Sequence, residues 1–331
     1  MKSTVEIFSE LGRRLAGFGS DEVSRSVVAR AVAENEWFSV NDICYAVEAI
    51  RCEMLDAEKI SKWLSFYPLV GASKAKRVAI IMAGNIPLVG FFDLMCVLAS
   101  GNIPFVKPSS KDCVLEEYIE QLLREIEPKL RIERYIEGAV YDAVIATGGE
   151  SANLYFRTAF AGIPCLLRGS RHSVAVLSGK ESEIEIWDLA DDIFTHSGLG
   201  CRNVSLVFVP KGFRLYLPTH RMCRAYHNNY LQCRALLTMR SVQFDDLGEA
   251  LVVKQSKAEF PRFLSRINVV EYSDLAEVQQ WLMANDESLQ CVVSEIEGLH
   301  SRCVSFGQAQ CPTLFDYADE RDTMQFLAQL G

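Results

Sequence analysis

Val78-Ala79-Ile80-Ile81-Met82-Ala83-Gly84-Asn85-Ile86-Pro87 decides the fold class of this chain. Its first five residues are apolar without alternation, the pattern of a strand buried on both faces. Ala83 to Pro87 breaks the run. Pro87 to Ser100 then reads as an apolar helix, with proline near its first turn and Gly101 after its end. Pro104-Phe105-Val106-Lys107 follows as a second short strand, and Leu115 to Ile126 as a charged amphipathic helix. Ala143-Val144-Ile145-Ala146-Thr147 is a strand that ends in Gly148-Gly149-Glu150 and leads into another helix. Pro164-Cys165-Leu166-Leu167 and Val174-Ala175-Val176-Leu177 read as further strands of the same region. Strands alternating with helices at this spacing predict βαβ units and an α/β fold with a mainly parallel, doubly wound sheet.

Upstream of that sheet, residues 1–70 read as a helical segment. Ser39-Val40-Asn41-Asp42 is a candidate capping box ahead of Ile43, Ala46, Val47 and Ile50, and a later helix carries Ile60, Trp63 and Leu64 and stops near Pro68. Downstream, a second unit begins near residue 180. It has a helix from Glu183 to Thr195, a turn at Cys201 and a strand from Val204 to Val209. Asn268-Val269-Val270-Glu271-Tyr272 and Gln290-Cys291-Val292-Val293-Ser294 are apolar runs on either side of a helix from Asp274. The expected organisation is a helical segment (1–70), a cofactor domain (71–180), a smaller α/β domain carrying Cys201 (181–305) and a tail (306–331) that packs back where the two domains meet. No internal repeat or low-complexity linker interrupts it.

At 331 residues, 49% hydrophobic and 23% charged, the chain has room for two domains and a large core. A formal net charge of −9 argues against nucleic acid or an anionic membrane surface as the main partner. No apolar run approaches the roughly 20 residues of a membrane span. Met1-Lys2-Ser3-Thr4-Val5-Glu6 lacks a signal-peptide stretch, so a cytoplasmic location is expected. The 11 cysteines, an odd count without CxxC spacing, read as reduced thiols rather than a disulfide framework or zinc site, and the 5 histidines add no metal-ligand spacing. No metal is expected.

Cys201 stands out among these thiols. It lies in Ser197-Gly198-Leu199-Gly200-Cys201-Arg202-Asn203, between a helix and a strand, on backbone that glycine frees. An arbitrary cysteine is more often a small buried hydrophobe. A thiol at an element boundary beside glycines and Arg202 is instead placed as a nucleophile. Asn85, taken alone an ordinary turn residue, has an amide that could hydrogen-bond the oxyanion formed when a thiolate attacks a carbonyl. His196 is close enough in sequence to be weighed as a base, although five positions of separation do not establish contact. The dinucleotide fingerprint GxGxxG is absent. Lys107-Pro108-Ser109-Ser110, at a strand's end, and Thr147-Gly148-Gly149-Glu150, a strand-to-helix turn, are weaker signals for a ligand at the sheet's carboxyl edge. Either one alone is as well explained by a solvated lysine and an ordinary turn.

Together these motifs resemble the aldehyde dehydrogenase superfamily: Asn85-Ile86-Pro87, Lys107-Pro108-Ser109, Thr147-Gly148-Gly149-Glu150 and Gly200-Cys201 fall in the superfamily's order and in its secondary-structure contexts. Within it the chain is most similar to the LuxC-type acyl-CoA reductases. That resemblance extends to Asn35-Glu36-Trp37-Phe38, the Ala46 to Trp63 stretch, and the tail from Phe306-Gly307-Gln308-Ala309-Gln310 through Leu314-Phe315-Asp316-Tyr317-Ala318. It implies an aldehyde-dehydrogenase-like fold, Cys201 and Asn85 as catalytic residues, and Gly84, Lys107, Pro108, Ser109, Gly148, Gly149 and Glu150 as cofactor-binding residues. The substrate it implies is a fatty acyl-CoA or other acyl thioester.

Three departures refine what the resemblance implies. Leu167, in Leu167-Arg168-Gly169-Ser170-Arg171, stands where aldehyde-oxidising relatives place the glutamate that activates water. Without that base, hydrolysis of a thioacyl-enzyme should be slow, which favours acyl-CoA reduction over aldehyde oxidation. Ser110, followed by Lys111, stands where NAD-preferring relatives carry a ribose-binding glutamate, so NADPH is expected ahead of NADH. The chain is also short for the superfamily, which leaves a homodimer as an inherited expectation only. The alternatives are a superfamily reductase acting on an acyl phosphate, a cysteine acyltransferase or thioesterase without redox activity, and a non-catalytic binding subunit.

Overall fold

The computed structural model describes residues 2–67, 75–219 and 222–330. Pro68, where a helix was expected to stop, and the expected boundary at 70/71 lie outside the described residues. The chain divides into two compact units, Met1–Ser170 with Cys311–Gly331, and Arg171–Gln310.

The first unit opens with four helices, α1 (Thr4–Arg14), α2 (Glu22–Glu34), α3 (Val40–Met54) and α4 (Ala57–Leu64). Ser3, Asp21, Ser39 and Asp56 cap them by accepting first-turn N–H groups on their side chains. The helices alternate with strands thereafter: β1 (Arg77–Ile81), α5 (Phe91–Ala99), β2 (Ile103–Lys107), α6 (Cys113–Ile126), β3 (Glu133–Arg134), β4 (Ala143–Thr147), α7 (Glu150–Ala159) and β5 (Cys165–Arg168). The sheet is parallel, in the order β3-β2-β1-β4-β5. Its strands are buried on both sides. Val78, Ile80, Val106 and Ile145 pack with α1–α6, whereas Ala79, Phe105, Val144 and Ala146 pack with Phe156 of α7 and with Phe160 just after it. Helices therefore cover both faces, and the sheet is doubly wound as the alternation predicted. The order of strands reverses between β1 and β4, so the carboxyl ends of those two strands flank the crevice where open α/β sheets take ligands.

In the second unit β6 (His172–Val176), α8 (Glu183–Phe194), β7 (Val204–Pro210), α9 (Arg224–Met239), β8 (Asp245–Asp246), β9 (Leu251–Gln255), β10 (Arg266–Tyr272), α10 (Leu275–Ala284), β11 (Leu289–Val293) and β12 (Cys303–Val304) follow in turn. They build a sheet of order β12-β11-β6-β7-β10-β9-β8, parallel except for the β8–β9 pair. Val174, Val176, Leu206, Phe208, Leu289 and Val292 pack with Val278 and Leu282 of α10. The chain then returns to the first unit and ends in α11 (Thr323–Ala328), whose Met324 and Leu327 join the core of α1–α6. Tyr317, just before it, accepts a hydrogen bond from Trp63 Nε1 at 2.8 Å. Among the described residues no helix is long and apolar enough to cross a membrane.

Three readings of the sequence need correction. The helix expected from Pro87 starts at Phe91, because Leu88 adopts a left-handed φ of 55° that no α-helix accommodates. The strand around Val174 belongs to the second sheet, where it pairs with β7 and β11; its apolar run fits either sheet, and periodicity does not choose a partner. The strand β9 was not foreseen. Leu251-Val252-Val253 is a short run beside polar residues, and its burial comes from α9 and β10, which are distant or later in sequence.

Candidate active site

The site residues of the first unit gather at the carboxyl edge of its sheet. Gly84, just past β1, is buried against Ser109; a Cβ there would collide with the Ser109 side chain and lie 3.3 Å from Lys111 Cβ. Only glycine lets these two turns approach so closely. Met82 N–H donates to Lys107 O at 3.1 Å and extends the β1–β2 pairing by one bond. The exposed Lys107 sends its Nζ over the Tyr135 ring, 5.3 Å from the centroid. Asn35, from the helical segment, donates through Nδ2 to Lys111 O at 3.2 Å. The structure thus brings Gly84, Lys107 and Ser109 together, with Pro108 between the latter two, and shows why the Asn35 region belongs with them.

Gly148 and Gly149 end β4, the strand on the other side of β1. Gly148 N–H donates to Arg168 O at 3.1 Å, and Asn153 Nδ2 donates to both Gly148 O (3.0 Å) and Arg168 O (2.9 Å). A Cβ on Gly148 would lie 2.7 Å from Ala152 Cβ. Glu150 is the first residue of α7; its side chain lies outside the described residues. Leu167 is half-buried and packs in the α7 core, and the adjacent Arg168 is buried against Asp93 and Thr323.

One contrast sets this edge apart. The eight helices α1–α4 and α8–α11 all carry a side-chain cap at the N-terminus. The three that leave the carboxyl edge of the first sheet, α5, α6 and α7, have none. A helix start without a cap presents unsatisfied N–H groups and a partial positive charge, the chemistry that receives phosphate. A dinucleotide needs such donors, so these residues fit a nicotinamide cofactor despite the missing glycine fingerprint.

Cys201 lies in the second unit, half-buried, three residues ahead of β7. The chain leaves α8 through three consecutive left-handed residues, His196 (φ 56°), Ser197 (φ 55°) and Gly198 (φ 67°). Such a conformation costs about 1–2 kcal/mol for each non-glycine residue, so something must hold it. Asn203 does. Its Nδ2 donates to Asp192 O (3.1 Å), Ile193 O (3.2 Å) and Thr195 O (2.8 Å), and its Oδ1 accepts from Gly200 N–H at 2.8 Å. Ser173 Oγ donates to Cys201 O at 2.9 Å and fixes the other side of the turn to β6. The nucleophile candidate therefore sits on a preorganised turn tied to both a helix end and a strand. The neighbouring Cys291 is fully enclosed, and burial pushes its thiol up to about 11, which leaves it unreactive at neutral pH. His196 is buried within the strained turn. Asp192 accepts N–H bonds from Gly307 (2.8 Å) and Ala309 (3.0 Å), which ties residues 307–309 to α8; burial still pushes its carboxyl up to about 7.

The sequence reading gave no positioning role to Asn203, Ser173, Asn153 or Asp192. Asn203 carried a faint signal, as an amide just after a glycine-rich turn, whereas Ser173 and Asp192 carried none.

Residues 72–217 match the LuxC acyl-CoA reductase family model. No curated protein matches the chain. Among solved structures, aldehyde dehydrogenase 21 from Physcomitrella patens is similar with a TM-score of 0.69 and 11% identity, over 99% of this chain and 83% of that one. An acetylating aldehyde dehydrogenase from Geobacillus thermoglucosidasius gives 0.62 and 12%, over 94% and 82%. The NAD+ complex of an aldehyde dehydrogenase from Bacillus cereus gives 0.60 and 12%, over 89% and 72%. At these identities the likeness is one of fold, and the fold is aldehyde-dehydrogenase-like.

Proposed function

Proceeding from a LuxC-like chain with the aldehyde dehydrogenase fold, we propose that this protein reduces a fatty acyl-CoA to the aldehyde, with NADPH as the reductant. The observation that carries the reading is the Cys201 turn, a half-buried thiol on strained backbone held by Asn203 and Ser173. Strain of this kind persists where it aims a reactive group.

In the proposed cycle the Cys201 thiolate attacks the thioester carbonyl, forming a C–S bond. The Asn85 amide and the Cys201 backbone N–H donate to the resulting oxyanion, and each such donor is typically worth about 3 kcal/mol. Collapse breaks the bond to CoA, which leaves as a thiolate and takes up a proton, so the acyl group rests on Cys201. NADPH, when bound, would supply the hydride that this acyl carbon takes up. The thiohemiacetal oxyanion, again held by Asn85, collapses to aldehyde and returns the electron pair to the Cys201 sulfur. Leu167 offers no carboxylate to activate water, so the acyl group waits for reduction instead of being hydrolysed. Lys107 and Ser109 would hold the adenosine ribose or its 2′-phosphate, with Lys111 beside Ser110 favouring the phosphate. The open helix starts at Gly84–Gly90 and Gly148–Glu150 would receive the pyrophosphate.

The test is NADPH oxidation, followed by absorbance, across acyl-CoAs from short to long chain, with parent protein and Cys201→Ala. Turnover by the parent and none by the variant is expected. A variant as fast as the parent, or a parent that neither binds NADPH nor turns over any acyl-CoA, overturns the reading.

A further inference from the structure

Asp112 occupies the N-cap position of α6, yet its side chain caps nothing there. Asp21, Asp56, Asp274 and Asp322, in the same position on other helices, all accept N–H bonds from their own first turns. Asp112 instead accepts the Leu88 N–H across to the β1–α5 turn, at 2.6 Å, with only 3% of its surface exposed. Leu88 is itself buried and is one of few non-glycine residues with positive φ. Its left-handed backbone interrupts what would otherwise run as helix from Pro87, and it keeps Asn85-Ile86-Pro87 as an open turn.

We propose that Asp112 is the positioning residue of the Asn85 turn, holding Leu88 in its left-handed conformation so that the Asn85 amide is presented for catalysis. This rests on the acyl-CoA reductase reading for the role of Asn85. The arrangement spends a buried carboxyl, and forgoes a helix cap, on a single backbone N–H three residues from that amide. The second oxygen of Asp112 and both oxygens of the buried Glu116, one helical turn on, have no hydrogen-bond partner among the described residues. Burial pushes the Asp112 carboxyl up to about 8, so at neutral pH it is largely protonated and accepts through a carbonyl-type oxygen. An asparagine reproduces that acceptor with the same shape.

The experiment compares the parent with Asp112→Ala and Asp112→Asn in acyl-CoA reduction under saturating NADPH. Alanine is expected to lower kcat at least tenfold while the KM for acyl-CoA and the Kd for NADPH stay within twofold; asparagine is expected to recover kcat to within about threefold of the parent. Deuterium exchange at the Leu88 amide, read by mass spectrometry on a peptide spanning 83–90, should quicken at least tenfold in the alanine variant and not in the asparagine one. Equal loss of kcat in both variants, or an alanine variant that keeps the parent kcat, overturns the proposal. Unchanged Leu88 exchange in the alanine variant does the same. A parent that reduces no acyl-CoA sinks the functional reading, and the exchange measurement still decides whether Asp112 holds the turn.

Discussion

Replacing Asn203 by alanine removes a side chain that joins the end of α8 to the Cys201 turn. Asn203 is 5% exposed, so its hydrogen bonds are made away from bulk water. Its amide has two N–H hydrogens shared among the Asp192, Ile193 and Thr195 carbonyls, and one oxygen that takes the Gly200 N–H. Counting two donated bonds and one accepted bond at about 1 kcal/mol net each gives a loss of about 3 kcal/mol. The left-handed pair His196–Ser197 then lacks its restraint and can relax, which recovers some energy but destroys the shape of the turn. For a unit of this size about 3 kcal/mol lowers the thermal midpoint by roughly 6–12 °C. Urea denaturation followed by far-ultraviolet circular dichroism reads the stability, and NADPH oxidation with acyl-CoA reads the turn. Asn203→Asp keeps the oxygen for Gly200 but sets a carboxylate oxygen against three carbonyls, so it should be at least as unstable as the alanine variant. An alanine variant within 1 kcal/mol of the parent, or an aspartate variant as stable as the parent, would refute the assignment of this side chain as the tie.

Asp192 makes stability fall as pH rises. Its carboxyl is raised from 3.8 to about 7, so the folded state holds a proton that the unfolded state has released. That contribution is complete below about pH 4 and is lost as pH climbs through about 7, amounting to at most roughly 4 kcal/mol. Asp192→Asn should flatten the slope between pH 4 and 7 in denaturation series, with the remaining slope extending toward pH 8 from Asp112; an unchanged slope counts against the burial argument. At the end of α9, Val242 N–H donates to Leu237 O and Ser241 N–H to Thr238 O, a Schellman closure with the exposed Ser241 at φ 52° where glycine is normally found. Ser241→Gly should stabilise the chain by about 1 kcal/mol in the same assay, and a destabilised variant would contradict it.

The parallel first sheet was readable from the chain alone because both of its faces are covered, which leaves uninterrupted apolar strands such as Val78–Met82 between amphipathic helices. The unusual backbone ahead of Cys201 was readable because the glycines around it announce it. What escaped notice depends on partners far apart in sequence. Ser173 meets the Cys201 carbonyl only through the pairing of β6 with β7, and Asp112 meets Leu88 only because the parallel pairing of β1 with β2 sets the turns that follow them side by side. Leu88 escaped for a related reason. A leucine after proline in an apolar run has every local feature of helix, and its left-handed backbone is enforced from outside. Candidates for chemistry are picked out by residue type, whereas the residues that position their turns are ordinary serines, asparagines and aspartates whose contacts are set by the fold.

The first unit is made from both ends of the chain, with α11 and Tyr317 sharing a core with α1–α6, while the second is a single uninterrupted stretch. During synthesis the nascent first unit must therefore wait, its inner apolar surface incompletely covered, until more than a hundred further residues have emerged. The second unit can complete itself on the ribosome as soon as it appears. Removing the last twenty residues should then trap the first unit in that waiting condition, recognised by chaperones as unfinished.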